Sequence, residues 1–409
     1  MLPSSRIALA LALTCGLAGV RPDAAAAQAN ALVSQAREVE AAVARIRELP
    51  FVHSVSVAVK DREAIRAYAL GRLDREYSPE QFRAKSESMI AWGFVRRPFD
   101  LRPFYAELLA EQIGGYYDPF EGVFFIADWL PSLLQKPIMA HELTHALQDQ
   151  HFDLKPFLRD VRGNDDASLA GAAIVEGEGL AVMIDYALGP VGMTFEDVPQ
   201  LEALLDTQLV ADSSSFRVYA SAPAIVKQSL LFPYIHGLLF VRAAKERGGW
   251  PAVSALYDSR PASSEQILWP EKYFEERDAP TRVELPDVAR ALGRGWKRID
   301  RNVLGELGYR VALEGLPGGA GVEAARGWDG DAYALYERNR GQTALVSVSV
   351  WDSEADAEDF ERAWRSVLDR GGREHRIVRD GTRVRGVVDV PRGREERVLR
   401  SLKSAEIAR

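Results

Sequence analysis

Cysteine is almost missing from this chain. Its 409 residues include one, Cys15, so neither an internal disulfide framework nor a thiolate metal cluster can form. Histidine is scarce too, with six copies, which makes any clustering of imidazoles informative. Dense basic runs are absent, and 51 Lys and Arg stand against 59 Asp and Glu for a net charge of -8. Nucleic acid and acidic polymers are therefore not expected partners. No internal repeat or low-complexity stretch stands out. What is present is ordinary globular composition, 47% apolar, 9% aromatic and 27% charged, in a chain long enough for two or three domains of roughly 150 residues.

Residues 1–27 read as an export signal. Arg6 gives a positive start, Ile7 to Val20 is nearly all apolar, and Ala24 to Ala27 offers small-residue cleavage sites before Gln28. The segment is short for a membrane span, which takes about 20 apolar residues, and no later stretch comes close. An exported chain, periplasmic or extracellular, with no integral membrane segment after processing is the expectation. Cys15 falls inside the leader, and Ala12-Leu13-Thr14 fits an acylated lipoprotein cysteine poorly.

The patterning gives an α+β chain: a helical part over 28–110, a core over 111–300 and a C-terminal α+β domain over 301–409. Helical spacing predicts helices over Ala31–Leu49, Arg62–Leu73, Ser78–Trp92 and Leu101–Gln112, with a strand over Ser54–Val59. Turn formers between two β-rich runs predict a hairpin over Gly114–Ala127. Pro137 suits the first turn of a helix running to His151, and Asp165 or Asp166 suits the cap of one over Ala167–Leu188. Two further helices are predicted, Ala222–Leu231 and Tyr234–Arg247. Strands Ala332–Tyr336 and Thr343–Trp351, a helix Ser353–Leu368, a hairpin at Arg379-Asp380-Gly381 and a helix Arg394–Leu402 build the C-terminal domain.

His141-Glu142-Leu143-Thr144-His145 carries the chemistry. Two imidazoles four residues apart on a helix differ by only about 40° around its axis and can share one metal. Neutral imidazole is a good zinc ligand, and Glu142 is placed to take a proton from metal-bound water. The competing reading makes both histidines core residues among Ile138, Met139, Leu143 and Leu147. A catalytic zinc needs a third protein ligand. Glu176 is chosen, in Ile174-Val175-Glu176-Gly177-Glu178-Gly179. Two glycines there cost a helix about 1 kcal/mol each, which signals close backbone approach. Glu178 is the alternative. His151 lies six residues after His145, as in H-E-x-x-H-x-x-G-x-x-H, but Gln148 replaces the glycine and a continuing helix turns His151 about 240° away.

The run His141 to Ala146 with Asp149 resembles the active-site helix of thermolysin-like zinc peptidases, the gluzincins. The string His141 to Leu154, with Gly115 to Pro119 and Val175 to Glu178, is similar to a group of exported bacterial proteins of that class. The resemblance implies a mainly helical zincin core with a small sheet and an edge hairpin, a Zn2+ cofactor and a peptide or protein substrate. It implies His141, His145 and Glu176 as ligands and Glu142 as general base. One further donor is expected to steady the oxyanion, with Tyr234 and His236 as candidates and Tyr116 and Tyr117 as competitors. The family's carboxylate four residues beyond the third ligand is Leu180 here, which leaves Asp149 as the candidate to orient a histidine. The Gly114–Ala127 hairpin could receive an extended peptide as an added strand. The alternative function is a catalytically silent zincin-fold binding or assembly protein with a structural metal.

Overall fold

The computed structural model describes residues 22–112, 114–129, 132–158, 161, 163–205 and 217–408. The expected leader, apart from its last residues, and Cys15 lie outside them. Mixed α and β structure is the class observed.

The first half is built of helices around a small sheet: α1 (Pro22–Arg47), α2 (Arg62–Glu76), α3 (Pro79–Trp92), α4 (Leu101–Gln112), α5 (Ser132–Phe152), the single turn α6 (Leu154–Phe157), α7 (Asp165–Leu188) and α8 (Ala224–Ala255). Strands β1 (Ser56–Lys60), β2 (Gly115–Asp118) and β3 (Val123–Ala127) form a sheet in the order β1-β3-β2, with β1 parallel and β2 antiparallel to β3. The hairpin is thus present, and β2 is an edge strand lying on α5. Local chemistry explains several starts. Ser78 and Gln81 form a reciprocal capping box ahead of Pro79, and the Asp61 carboxylate accepts from Ala64 N–H.

Three expected boundaries shift. α5 begins at Ser132, with Pro137 inside it. The carbonyl that Pro137 leaves without its helical bond belongs to surface-exposed Leu133. Asn164, not an aspartate, caps α7, because Asp165 is committed to Lys85 and Asp166 to Ser264 N–H. The two helices expected around Pro233 are one, continuous from Ala224 until Gly248 and Gly249 leave helical conformation. Burial of Leu230, Phe232, Tyr234 and Leu238 holds it together across the proline.

A helical core gathers Val39 and Val43, Phe124 and Ile126, Met139, Leu143, Ile174, Val182 and Leu238. Within it α5 and α7 are buried nearly all round, as central helices are. By length and composition, α7 extended to Val191 and α8 are long and apolar enough to cross a membrane, although 83% and 67% of their most apolar windows are buried inside the protein. The sequence reading placed no such stretch after the leader. Core burial accounts for the apolarity.

The second half carries a five-stranded antiparallel sheet of β5 (Lys297–Asn302), β6 (Trp328–Arg338), β7 (Gln342–Trp351), β8 (His375–Asp380) and β9 (Arg383–Val388), in the order β5-β6-β7-β9-β8. Both faces are covered. Phe360 and Trp364 of the helix Glu354–Arg370 pack on Tyr333, Leu335 and Leu345. Val398 and Leu402 pack on Ala334, Val346 and Val348 on the other side. A short pair, β4 (Arg282–Glu284) with β10 (Glu406–Ala408), ties the C-terminal residues back. Helix α3 joins the halves: Trp92 stacks on Trp364 at 5.7 Å, and Arg83 pairs with Glu337.

Candidate metal centre

Helix α5 delivers His141, Glu142 and His145, and the crossing helix α7 delivers Glu176. The Nε2 atoms of His141 and His145 are 3.0 Å apart. Glu176 Oε2 lies 3.2 Å from His141 Nε2 and 3.5 Å from His145 Nε2. Ligands about 2.0–2.1 Å from one zinc at tetrahedral angles would stand roughly 3.3 Å from each other. The observed separations bracket that value. Two ring nitrogens and a carboxylate oxygen aimed at one point can be reconciled by a shared proton or by a metal ion. His141, His145 and Glu176 thus form a buried group that could hold a metal ion.

The electrostatics agree. Burial alone would raise the Glu176 pKa, yet His145 and then His141 hold it down at about 2. Burial would lower His145, but Glu176 outweighs it and pushes the ring up to about 9. His141 is pushed down by burial and by its neighbour His145. One ionised acid facing two rings attracts positive charge, a proton on His145 or a cation in its place.

Each histidine ligand is held by a second contact. Gln148 Oε1 lies 2.8 Å from His145 Nδ1, and Gln148 Nε2 donates to the Val175 carbonyl at 3.1 Å. The Gly179 backbone bonds the His141 ring. Asp149, expected to orient a histidine, instead accepts from Tyr117 OH at 2.9 Å and from Leu154 N–H at 3.0 Å. The sequence reading missed Gln148, although its place one turn beyond His145 was the available signal. The rival ligands are engaged elsewhere. Glu178, about 200° around α7 from Glu176, accepts from Arg47 Nε at 2.6 Å and Tyr257 OH at 2.7 Å. His151 Nε2 lies 2.7 Å from the Pro50 carbonyl.

Glu142 is 0% exposed. The Tyr117 N–H donates to its Oε2 at 2.9 Å, and Oε1 has no hydrogen-bond partner among the described residues. Burial first, with Glu176 adding, pushes its carboxyl up to about 8. The Tyr234 ring, on α8, lies 6.0 Å from the His141 ring at a shallow 25°. His236, two residues on, points about 200° away. It packs on Phe232 at 5.1 Å, and burial, then Arg310, lowers it to about 4. Of these two candidates only Tyr234 meets the centre. Tyr116 faces the opposite side of β2, where its OH accepts from Lys60 Nζ.

Residues 291–406 match a family model described as a domain of unknown function, DUF8575. That match covers the five-stranded sheet and its helices and excludes the metal centre. No curated protein and no solved structure matches the chain.

Proposed function

We propose that the chain is an exported, zinc-dependent metallopeptidase of the gluzincin type, with a zincin core, acting on peptides or proteins. One observation carries the reading: three ligand atoms spaced as a tetrahedral zinc requires, beside a buried carboxylate with one unbonded oxygen. His141, His145 and Glu176 would hold the ion. Zinc would supply the Lewis acidity that polarises a scissile carbonyl and acidifies water. Glu142 is fixed through Oε2 by Tyr117 N–H, so Oε1 is the base that takes the proton and later gives it to the leaving amine. Burial raises the Glu142 carboxyl, which helps it hold the proton it takes until the leaving amine receives it. Tyr234, whose ring lies against the His141 ring, is the proposed donor for the oxyanion.

The test is peptide hydrolysis with Glu142→Gln. The variant should keep its zinc and lose at least about 100-fold in rate. Tyr234→Phe should lose about 100- to 1000-fold in kcat with metal content unchanged. The near-complete burial of His141, Glu142, His145 and Glu176, none more than 8% exposed, favours a second reading, a silent zincin-fold protein with a structural metal. Zinc bound tightly in a wild type that hydrolyses no peptide would decide for it.

A further inference from the structure

We infer that Gln148 is the positioning residue for His145, and that it does so by passing the direction of a backbone carbonyl on α7 to the tautomer of a ring on α5. The inference rests on the zinc reading of the centre and concerns a residue outside its ligand set. Gln148 is 0% exposed, and a buried amide must find partners at both ends.

The Val175 carbonyl can only accept, so the amide end facing it at 3.1 Å is Nε2. That leaves Oε1, which can only accept, facing His145 Nδ1 at 2.8 Å. Nδ1 must therefore carry the hydrogen. In the neutral ring the lone pair is then on Nε2, the atom aimed at His141 Nε2 and Glu176 Oε2. Val175 is the residue before Glu176, so one amide ties the ring of one ligand to the backbone of another. The position four residues after the third ligand is Leu180, which can offer a ring no acceptor. Gln148 does that work from the histidine helix itself.

Zinc affinity of the full chain, measured by competition with a chromophoric chelator, tests this. Gln148→Met keeps the volume and removes both bonds, and it should weaken zinc binding about 10- to 100-fold. Gln148→Glu keeps the acceptor for Nδ1–H and loses the donor to Val175, and it should bind zinc at least as tightly as wild type. Wild-type affinity in Gln148→Met overturns the inference, as does Gln148→Glu binding as weakly as Gln148→Met. Should Gln148→Met fail to fold, Gln148→Glu decides alone, since lost affinity there removes the acceptor role. A purely structural role would lower the unfolding temperature of both metal-free variants and leave zinc affinity unchanged, which also overturns it. The peptidase reading fails separately: a zinc-loaded wild type that cleaves nothing sinks that reading and leaves the affinity series to judge Gln148.

Discussion

A Cβ at position 179 would lie 2.8 Å from His141 Cε1 and 3.1 Å from His145 Cε1. The first distance is shorter than real side chains tolerate, and both rings are fixed by hydrogen bonds, His141 to the Gly179 backbone and His145 to Gln148. Gly179→Ala should therefore displace the rings and weaken zinc binding at least about 10-fold, the scale at which lost support around a ligand is felt. Gly189→Ala, where a Cβ meets nothing within 4 Å, is the control on the same stretch of chain. Equal zinc affinity in the two variants would show that the rings are not constrained by the helix facing them. At this scale the sequence was legible where chemistry follows from spacing along one helix, as for His141, Glu142 and His145. Across helices it was legible only in part: Glu176 is the chosen third ligand and does join the two rings, but the reason it does so lies far off in sequence. Whether Glu176 or Glu178 turns inward depends on where Arg47 and Tyr257 wait for the other acid, and nothing near residues 176 to 178 reveals that.

Helices α7 and α8 approach closely enough for backbone to touch backbone. A Cβ on Gly177 would lie 2.2 Å from the Gly237 carbonyl carbon, and one on Gly237 would lie 2.2 Å from the Ala173 oxygen. Gly177 adjoins Glu176, and Gly237 lies within a turn of Tyr234, so this crossing sets how deeply ligand and tyrosine reach. Gly237→Ala should cost about 1–3 kcal/mol, the usual range for overpacking, and lower the melting temperature by several degrees. Calorimetry with no measurable drop would mean the helices separate freely. A second clamp fastens the same helix to α1. Arg47 and Glu178 are 1% and 0% exposed, so Arg47→Met leaves an uncompensated buried charge and should cost about 3–5 kcal/mol. Adding Glu178→Gln should recover part of that loss, and a double variant no more stable than Arg47→Met would refute the ion-pair account. Glycines in a helix pattern announced close approach, but not to what. Pro233 announced a break that packing overrode, which is why α8 was read as two helices.

The two halves of the molecule meet at the first turn of α7, the helix that carries Glu176. Asp165 binds Lys85 Nζ at 2.8 Å and takes Asn302 Oδ1 on its backbone N–H. Asp166 accepts from Ser264 N–H at 3.0 Å, while its other oxygen lies against Gly305 without a hydrogen-bond partner among the described residues. Four strands of the sheet on the far side were legible, β6 and β7 as strands and β8 with β9 as a hairpin, while β5 was not. This junction was not, because it joins residues 80 to 137 positions apart in sequence. It should be readable in the pH dependence of stability. Burial, with Asp331 and Glu306 adding, pushes Asp166 from 3.8 up to about 7. The folded state thus holds a proton that the unfolded chain has released, and stability falls as pH rises from about 4 to about 7. Above that window both states are ionised and the penalty is constant. Three pKa units correspond to about 4 kcal/mol as an upper scale. Asp165 acts with the opposite sign, since Lys85 overrides burial and holds its carboxyl down, so its contribution is lost only on acidification. Asp331 and Glu142 are also raised, to about 6 and about 8, which makes the difference between variant and wild type the quantity to read. Asp166→Asn should melt higher than wild type at pH 7.5 and converge with it near pH 4, with both proteins saturated with zinc. Parallel melting curves across that range would mean that Asp166 is ionised in the folded junction after all, and that the contact between the halves tolerates a bare carboxylate.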